Sequence, residues 1–534
     1  MSIPKIIGIE TEYRFDVDGY NYLEEAELCK ELIRLTGLSF ELKLKNPIIN
    51  YDSHSELNLK LKRGGFTGYF LPNGMRVYLE NDFIPEVSTP ECKTAKDAVI
   101  YDKAAEKILN AVIESLSSKV GKKIKIFKNN SDGFGNSYAC HENYSLTPKT
   151  FLKLIDDTKN NLNLIQAVWI AFVVSRQIMV GAGKIGVENS NRQDNIYQIS
   201  QRADFFETLL SIATTRNRPL INTRDVPYAN PSKFRRFHVI IGDSNMSELS
   251  DYLKTGTAAI VLSMLEDNYV FYYNNHTSPI MMLPVLSKPL KALKQISRDL
   301  SYKLSVDLNN NSSDTAIGIQ EKFCDVANEW YKVYKDNYDA NTDIENVLKL
   351  WRQTLDLLKT DPDSLNDRLD YRIKLSLFES YLKKYKSSWD KVLTTMVKTK
   401  GPKGEILEVP ILERLKNIDL SYHDISPRGI YNQLVSKGKI KRILTDDEID
   451  SALFTPPKDT RAYIRGKSLS KFSSEIENCN WQYIYIKDKE DSKLKIDLDD
   501  LLSGTEDDSA YLISKANTIY ELYDLIKIYR NKPQ

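Results

Sequence analysis

Two short segments near the start of the chain alternate apolar with polar residues. They read KIIGIETEY (5–13) and MRVYLE (75–80). Successive side chains of a β-strand point to opposite faces, so this alternation predicts strands with one buried and one polar face. The β-branched RFHVIIG (236–242) is short enough for a buried strand, whereas Lys96–Leu116 has apolar residues at helical spacing. The first half therefore predicts a mixture of strands and helices.

The second half has a different texture. Three segments, 317–334, 343–358 and 364–385, carry apolar residues at i, i+3, i+4 and i+7, with charged opposite faces. Each has an Asp or Ser near its start, as helix capping favours. These patterns predict a helical block over 314–400.

The sequence Pro456-Pro457 is the strongest candidate for a domain boundary. The piece after it combines the strand-like WQYIYI (481–486) with a helical tail, Ala516–Tyr529. We therefore expect a large domain over 1–455 and a small one over 456–534.

Composition excludes several classes of protein. Lys and Arg total 74 against 73 Asp and Glu, so the net charge is only +1, which argues against a bulk nucleic-acid binder. No apolar run approaches the length of roughly 18–20 residues that spans a bilayer. The start lacks the features of a signal peptide, and the five cysteines show no CxxC spacing. We expect a cytoplasmic protein with reduced thiols that binds neither nucleic acid nor membrane.

The first predicted strand carries two acidic residues on one face. Glu10 and Glu12 are two positions apart, and Gly8 leaves room beside them. Two carboxylates on one face repel each other unless a cation lies between them. Oxygen ligands suit Mg²⁺, which usually also holds phosphate oxygens. A solvated acidic strand face is the alternative, and this motif alone leaves it open.

The second strand repeats this logic with different groups. Arg76, Tyr78 and Glu80 share its polar face. A guanidinium, a phenol and a carboxylate in one row can hold a phosphate, contact a metal and move a proton. Glu86 adds another carboxylate six residues further on. An edge strand of alternating polarity is the alternative reading of this segment.

Three further segments have a high density of polar residues for sequence that looks buried. They are FKNNSDGFGNSYACHENY (127–144), NTRDVPY (222–228) and RRFHVIIGDSN (235–245). Turn chemistry explains such loops equally well, and His238 by itself is more typical of a satisfied core histidine. The His and Cys residues show no zinc spacing.

The sequence GAGKIG (181–186) matches a dinucleotide-binding glycine pattern. The preceding Leu164–Ile178 has helical spacing, whereas that fingerprint requires a strand before the loop and a helix after it. NAD binding is therefore disfavoured. There is no GxxxxGK[ST] loop, so an ATP site would not be of the P-loop kind.

Longer motifs carry a family resemblance along nearly the whole chain. They include GIETEY (8–13), NGMRVYLE (73–80), PEVSTPEC (85–92), QISQRADFFE (198–207), TTRNRPLINTRD (214–225), KFRRFHVIIGDSNMSE (233–248), LSYHDI (420–425) and PPKDTRAYIRG (456–466). In this order they resemble the family of the Pup ligase (proteasome accessory factor A) and the Pup deamidase/depupylase. The GAGKIG segment is part of the family pattern, which removes the NAD interpretation.

The resemblance implies an α+β fold similar to glutamine synthetase and other carboxylate–amine ligases. The large domain would hold a curved antiparallel sheet, packed by helices, that cradles ATP and Mg²⁺. A small C-terminal α/β domain would close over the nucleotide. The region 14–72 would be an insertion or loop region before NGMRVY.

The resemblance also implies roles for individual residues. The implied metal ligands are Glu10, Tyr78 and Glu86. The implied ATP contacts are Arg76, Thr89 and Trp481, and the implied catalytic residue is Glu80. Residues that we expect to line the site are Glu12, Asp82, His141, Asn143, Arg224 and His238.

Glu80 occupies the position of the family's catalytic aspartate. A glutamate keeps the carboxylate but moves its oxygens by roughly an ångström, a displacement that can cost about 10²-fold in rate. Glu80 therefore fits a general base better than a nucleophile, and Asp82 is a substitute carboxylate. Other acceptor-side positions also differ from the family pattern, which suggests an altered substrate.

The direction of the reaction stays open between ligase and hydrolase. The insertion 14–72 and DTRAYIRG (459–466) lean to the hydrolases, whereas TTRNRP (214–219), GDSNMSE (242–248) and LSYHDI (420–425) resemble the ligase. Because the Glu80 carboxylate fits a base better than a nucleophile, we favour an ATP-dependent ligase. A depupylase-like amidohydrolase and a catalytically weakened modifier-binding homologue are the alternatives.

The expected partners follow from the ligase reading. They are a small protein or peptide modifier with a C-terminal Glu or Gln, similar to Pup, and acceptor proteins that offer a lysine. The family reaction phosphorylates the side-chain carboxylate of the terminal glutamate and passes it to that lysine. We expect the protein to be a monomer.

Overall fold

The computed structural model describes residues 2–43, 68–81, 83–133, 135–158, 161–188, 197–267, 283–337, 343–401, 404–487 and 494–530. Asp82, the substitute carboxylate, lies outside the described residues, and so does 44–67 of the expected insertion. The described part of that insertion contains two strands, Arg14–Val17 and Gly68–Phe70, and a long helix, Tyr22–Lys43.

The described residues form short strands throughout the chain. The strands are β1 (Ile7–Glu12), β2 (Arg14–Val17), β3 (Gly68–Phe70), β4 (Arg76–Glu80), β5 (Ile84–Ser88), β6 (Ile124–Phe127), β7 (Cys140–Leu146), β8 (Lys184–Ile185), β9 (Tyr197–Gln198), β10 (Phe206–Ser211), β11 (Arg218–Asn222), β12 (Arg235–Val239), β13 (Ser305–Asp307), β14 (Ser313–Thr315), β15 (Met396–Lys400), β16 (Ile406–Pro410), β17 (Ile476–Cys479), β18 (Tyr483–Ile486) and β19 (Lys495–Asp497). The segments that alternate in sequence, β1 and β4, are both strands, as predicted.

Six of these strands form the central sheet in the order β12-β7-β1-β5-β4-β3, and all neighbours are antiparallel. β4 lies between β5 and β3, so it is not an edge strand. Ile7, Ile9 and Val77 are at most 2 % exposed on the apolar face of the sheet. The alternation therefore separates a core face from a polar face, as the sequence predicts.

The helices pack behind the sheet and around it. They are α1 (Tyr22–Lys43), α2 (Ala95–Val120), α3 (Pro148–Ile155), α4 (Leu164–Ser175), α5 (Gln177–Val180), α6 (Glu248–Glu266), α7 (Pro289–Ser297), α8 (Ala316–Tyr334), α9 (Ile344–Thr360), α10 (Asp370–Lys384), α11 (Ile411–Tyr422), α12 (Ile430–Ser436), α13 (Asp446–Ala452), α14 (Ala462–Phe472), α15 (Glu506–Lys515) and α16 (Ile519–Arg530). α2 contacts both β1 and α6. It begins at the Thr94 cap, whose hydroxyl accepts from the Asp97 N–H, and ends at Gly121.

The predicted helical block is present as α8, α9 and α10. Trp330 and Trp351 are fully buried in it, which places its apolar faces in the core. The third helix begins at Asp370 rather than at Ser364, because Pro362–Leu365 forms a separate 3₁₀ turn. A proline near the start of a short turn is compatible with that geometry, since its missing N–H is not needed there.

The last part of the chain has a buried cluster of its own. β17, β18 and β19 form an antiparallel sheet, and α14, α15 and α16 bury apolar residues in the same cluster. The largest cluster of the chain ends at Ala452, and this second cluster begins at Tyr463. The division at Pro456 stays a prediction that these clusters support. In the described part of the chain, no helix is long and apolar enough to cross a membrane.

The GAGKIG segment follows helices and enters the two-residue strand β8. The arrangement of strand, loop and helix that a dinucleotide fingerprint requires is therefore not formed. Gly183 has a φ of +71°, and a Cβ atom there would lie 2.2 Å from the Tyr197 hydroxyl. The glycine is thus needed for a close turn in the core.

Candidate active site

The polar face of the central sheet forms the floor of a cavity with a volume of about 980 Å³, part of it open to solvent. Five adjacent strands supply the floor, because antiparallel pairing brings side chains of the same parity to one face. Residues 214–224 and Trp481 contribute to the walls. The charged and aromatic side chains that line this reaction cavity are Glu10, Glu12, Arg76, Tyr78, Glu80, Glu86, His141, Arg202, Arg218, Arg224, Tyr228, Arg236, His238 and Trp481.

Carboxylates converge at the middle of this floor. Glu86 lies directly opposite Glu12 on one side and Tyr78 on the other, and Glu10 is two residues before Glu12 on β1. Glu86 is 3 % exposed. Burial, together with the charges of Glu10 and Glu12, raises the pKa of Glu86 well above its usual range. Glu86 forms no ion pair with the described side chains, so a bound cation could balance the negative charge of these carboxylates.

Arg76 and Tyr78 lie beside these carboxylates on β4. The Arg76 guanidinium stands over the Tyr78 ring at 4.3 Å from the ring centroid. The Ser88 hydroxyl donates to the Tyr78 oxygen at 3.3 Å. Burial and the nearby charges of Glu86 and Glu10 raise the pKa of Tyr78 well above its usual range, so the neutral phenol oxygen is a donor or a metal ligand rather than a base.

Glu80 ends the polar row of β4. It is half-buried, and Asn81 follows it in the left-handed region with a φ of +50°. Burial and the charge of Glu12 raise the pKa of the Glu80 carboxyl, while His141 and Arg224 act in the opposite direction. A carboxyl with a raised pKa accepts a proton more readily at neutral pH.

A histidine pair lies at the β7 and β12 side of the floor. The His141 and His238 rings meet edge to face at 4.6 Å, and His141 Nδ1 lies 3.3 Å from Glu10 Oε2. Burial and the neighbouring cationic groups lower the pKa of His238 well below its usual value. Asn143 accepts from Arg236 Nη1 at 2.7 Å and lies 2.9 Å from His238 Nδ1.

The two histidines also have unused nitrogen atoms. Both Nε2 atoms are buried and have no hydrogen-bond partner among the described residues. Ligand atoms of Glu10, His141 and His238 lie within 4.8 Å of one another and could hold a metal ion. The sequence spacing gave no sign of this group, because its members come from three different strands.

The second cavity lies next to the first and is more apolar. It has a volume of about 580 Å³, part of it open to solvent, and shares Glu10, Ser88, Tyr228, Arg236 and Trp481 with the reaction cavity. Gly8 lines it, and a Cβ atom there would touch Asn143 and Thr89 no closer than 3.8 Å and would occupy cavity space. The Thr89 hydroxyl accepts from the Ile9 N–H at 3.0 Å.

Trp481 lines both cavities and is held in place by its neighbours. Its ring meets Phe70 edge to face at 4.8 Å, and the Arg465 guanidinium lies 4.9 Å from its centroid. Glu91 accepts from Arg465 Nη1 at 3.0 Å and from Arg461 Nε at 2.7 Å. The C-terminal part of the chain thus contributes an aromatic wall that buried ion pairs anchor.

The structure brings nearly all of the predicted site residues together. Thr89 and Asn143 line the smaller cavity, and the other predicted residues line the larger one, except Asp82, which lies outside the described residues. Sequence reasoning missed Arg202, Arg218 and Arg236. All three fall within family-like stretches, QISQRADFFE, TTRNRPLINTRD and KFRRFHVIIGDSNMSE, which were the available signal.

Comparison with known proteins defines the class of enzyme to which this fold and site belong. A family model described as Pup-ligase protein matches residues 5–485. The chain therefore belongs to the Pup ligase family, whose members include Pup ligases and depupylases, and it is an enzyme of that family.

Individual relatives come from both branches of the family. The chain is 35 % identical to a depupylase of Acidothermus cellulolyticus over 463 residues, which cover 86 % of this chain and 83 % of the relative. It is 34 % identical to a Pup–protein ligase of Acidimicrobium ferrooxidans over 436 residues, which cover 80 % and 85 %.

Solved structures confirm the expected α+β fold. The structure of the ligase PafA in complex with Pup matches with a TM-score of 0.73 and 27 % identity, and covers 99 % of this chain and 98 % of that one. A second PafA structure, in complex with ADP, matches with a TM-score of 0.68 at 27 % identity, and covers 92 % and 97 %.

Proposed function

We propose that this protein is an ATP- and Mg²⁺-dependent ligase that joins the C-terminal glutamate of a Pup-like modifier to a lysine of an acceptor protein. The observation that carries the proposal is the polar face of β1, β4 and β5. There, a row of carboxylates and a guanidinium ends at a half-buried carboxylate, Glu80. Family membership and the PafA complexes with Pup and with ADP support the same reaction.

The donor set on the sheet floor fits a hard divalent cation. Glu10, Tyr78 and Glu86 offer oxygen atoms from three adjacent strands, and oxygen is the ligand type that Mg²⁺ prefers. Burial and the charges of Glu10 and Glu12 raise the pKa of Glu86, and a cation bound among these carboxylates would favour its charged form. Bound Mg²⁺ would supply charge neutralisation for phosphate oxygens.

The two adjacent cavities fit the two ends of a nucleotide. The smaller cavity is largely apolar and is bordered by Trp481 and Gly8, as suits a base and sugar. The larger one carries Arg76 beside the metal-binding row, as suits phosphates. We propose a positioning role for Thr89. Its hydroxyl accepts a hydrogen bond from the Ile9 N–H and so fixes β1 beneath the proposed nucleotide site.

Glu80 acts as the general base in this proposal. The activated carboxyl of the modifier is an acyl phosphate, and the lysine amine attacks its carbonyl carbon. A C–N bond forms, the C–O bond to phosphate breaks, and the amine proton passes to Glu80. The raised pKa of Glu80 favours this uptake. Arg76 remains beside the leaving phosphate and stabilises its charge.

Residues 456–534 act as a small domain that closes over the nucleotide in this proposal. Trp481, between β17 and β18, lines both cavities, and the Glu91 ion pairs fix its neighbour Arg465. We place the protein in the cytoplasm, since all five cysteines are free thiols and four of them are buried.

A depupylase-like hydrolase is the second candidate function. A depupylase is 35 % identical over 86 % of this chain, so sequence similarity does not favour the ligase direction by itself. In the hydrolase, water rather than lysine would be the second substrate. Glu80 is one methylene longer than the aspartate at the family's catalytic position, and this length fits a base better than a nucleophile.

One experiment separates the two functions. The purified protein is incubated with ATP, Mg²⁺, a modifier peptide ending in Gly-Gly-Glu and a lysine-bearing acceptor. ADP release in step with adduct formation supports the ligase. Cleavage of a preformed conjugate with little net ATP consumption supports the hydrolase and overturns the ligase proposal. Binding of the modifier without either reaction overturns both.

A further inference from the structure

One residue that lines both cavities has an unusual backbone conformation. Tyr228 has a φ of +50°, in the left-handed region that bulky side chains avoid. Its side chain lines the smaller cavity and the reaction cavity alike. Strain of this kind persists only where the surrounding structure imposes it, and it is concentrated at functional sites. The conformation of Tyr228 therefore calls for a functional explanation.

A second tyrosine in the same conformation shows what a structural role requires. Tyr302 has a φ of +60°, but it is only 7 % exposed, and its hydroxyl lies 3.0 Å from the Tyr371 hydroxyl. Tyr228 is 39 % exposed, and its hydroxyl makes no hydrogen bond with the described residues. Packing in the core therefore explains Tyr302, whereas it does not explain Tyr228.

The chain is fixed on both sides of Tyr228. Two residues before it, the Val226 carbonyl accepts from Arg236 Nε at 2.9 Å. Directly after it, Ala229 is fully buried, and the next N–H, that of Asn230, donates to the Asp499 carbonyl at 2.9 Å. Contacts to β12 and to the C-terminal part of the chain therefore hold the Tyr228 ring at the two cavities.

The Tyr228 ring covers the guanidinium group of Arg236. The guanidinium carbon lies 5.0 Å from the ring centroid, within the range of cation–π attraction. Arg236 also lines both cavities. Its Nη1 donates to Asn143 Oδ1 at 2.7 Å and lies 3.5 Å from Glu10 Oε1. Its Nη2 makes no hydrogen bond with the described residues. Arg236 is thus held in place and keeps a donor nitrogen for a ligand.

We infer that Tyr228 is a positioning residue that holds Arg236 against the phosphate group nearest the ribose of the bound nucleotide. The inference rests on the proposed function, in which the nucleoside occupies the smaller cavity and the phosphates extend into the reaction cavity. A group that lines both cavities lies where the first phosphate passes between them. The forked guanidinium group suits phosphate oxygens. Tyr228 acts through Arg236 and makes no contact of its own with the nucleotide.

A double-mutant cycle on ADP binding tests this role. Isothermal titration with ADP and Mg²⁺ compares the wild type, Tyr228→Leu, Arg236→Ala and the double variant. Arg236→Ala should weaken ADP binding about 10- to 100-fold, the effect of losing a charge-assisted contact. Tyr228→Leu should weaken it about 3- to 10-fold, as the loss of a cation–π contact would. The double variant should bind no more weakly than Arg236→Ala, and Tyr228→Phe, which keeps the ring, should restore most of the affinity.

Three outcomes overturn the inference. Unchanged ADP affinity in Tyr228→Leu shows that the ring does not position Arg236. An equal loss from Tyr228→Leu with and without Arg236 shows that the ring contacts the nucleotide itself. Adenosine carries no phosphate, so its affinity should be the same in the wild type and in Tyr228→Leu. An adenosine affinity that falls as much as the ADP affinity assigns the ring to the nucleoside.

Tyr228→Gly separates binding from folding. Glycine adopts the left-handed conformation without steric cost, so this variant should melt no lower than the wild type and still bind ADP as weakly as Tyr228→Leu. Lys386→Gly is the matched control, since Lys386 has a φ of +51°, is exposed and lines neither cavity. It should melt no lower than the wild type and keep its ADP affinity. A lower melting temperature of Tyr228→Gly assigns the ring to folding and overturns the inference.

Failure of this inference and failure of the proposed function are distinguishable. A protein that binds ADP, shows the coupling between Tyr228 and Arg236 and forms no adduct with ATP retains the positioning role but not the ligase activity. A protein that forms adducts but shows no coupling retains the ligase activity and loses the positioning role.

Discussion

Two buried glutamates five positions apart, Glu86 and Glu91, have opposite surroundings. Glu91 accepts from the guanidinium groups of Arg461 and Arg465, and their charges outweigh burial and lower its pKa to about 2. Glu86 faces Glu12 and other acidic groups, and its pKa is raised well above the usual range. The polypeptide itself balances the charge of Glu91, whereas the charge of Glu86 is not balanced by the described side chains.

The contrast separates structural charges from charges that serve a ligand. A buried ion that the chain itself pairs contributes to the folded state, and removing one partner leaves the other uncompensated. A buried carboxylate that lies beside other carboxylates and has no ion-pair partner among the described residues is unfavourable in its charged form until a cation binds. Glu91 therefore belongs to the packing of the C-terminal part, and Glu86 belongs to the proposed metal site.

The largest effect, a loss of turnover, is expected at Glu80, which like Glu86 belongs to the charges that serve a ligand. Glu80→Gln removes the base but preserves size, so turnover in the ADP-release assay should fall by about 10²- to 10⁴-fold. ATP affinity should remain unchanged. Glu80→Asp is the matched control, since it keeps a carboxylate of the family's length, and it should retain measurable turnover. Full activity of Glu80→Gln would remove Glu80 from the mechanism.

On the structural side, Glu91→Gln should destabilise the protein by about 3–5 kcal/mol, because it leaves Arg461 and Arg465 buried without a counter-ion. Chemical denaturation measures this change. The folded-state pKa of about 2 lies below the usual 4.5, so the stabilisation is fully present above pH 4.5 and is lost as the pH falls through 2. The gap between wild type and variant should therefore shrink in acid, and a gap that grew would contradict the assignment.

The phosphate side of the site is tested at Arg76. Arg76→Ala should weaken ATP binding by about 10- to 100-fold, the cost of one charge-assisted contact. Isothermal titration with ATP and Mg²⁺ measures the affinity. Arg14→Ala serves as a control, since Arg14 lies on β2 and does not line either cavity. An ATP affinity that is equal in Arg76→Ala and wild type would count against the phosphate role.

The smallest effect on stability is expected at Glu86. Glu86→Gln removes repulsion among carboxylates, so without Mg²⁺ the free energy of unfolding should stay within about 1 kcal/mol of wild type or rise slightly. The wild type should gain stability when Mg²⁺ is added, because the ion binds only the folded state, and the variant should lose most of that gain. A Glu86→Gln variant as unstable as Glu91→Gln would erase the contrast between the two sites.

Much of the fold followed from local patterns. The alternation around Glu10 and Tyr78 predicted both strands and their polar faces, and helical spacing predicted α2, α8 and α9. The main miss concerned α10, which starts at Asp370 because a separate 3₁₀ turn precedes it. Spacing alone does not show where one turn stops and the next helix begins, since both place apolar residues three positions apart.

The site was predictable where family motifs named residues and was incomplete elsewhere. Glu10, Tyr78 and Glu86 were named as a metal set from the resemblance, and their shared floor agrees with the strand periodicity. Arg202 and Arg218 were overlooked, although both fall within family-like stretches. Nothing in their local sequence shows that they line the cavity without forming an ion pair among the described residues, because that depends on neighbours far away in the chain.

The sequence by itself determined the alternation that gives β1 and β4 their two faces, and the helix caps and periodicities behind them. These are local properties of backbone geometry and side-chain spacing. Only the tertiary structure decided which charges are paired. Glu91 meets Arg465 from the far end of the chain, whereas Glu86 meets Glu12 across the sheet. Electrostatic balance depends on distances in space, so two nearby glutamates acquired opposite roles.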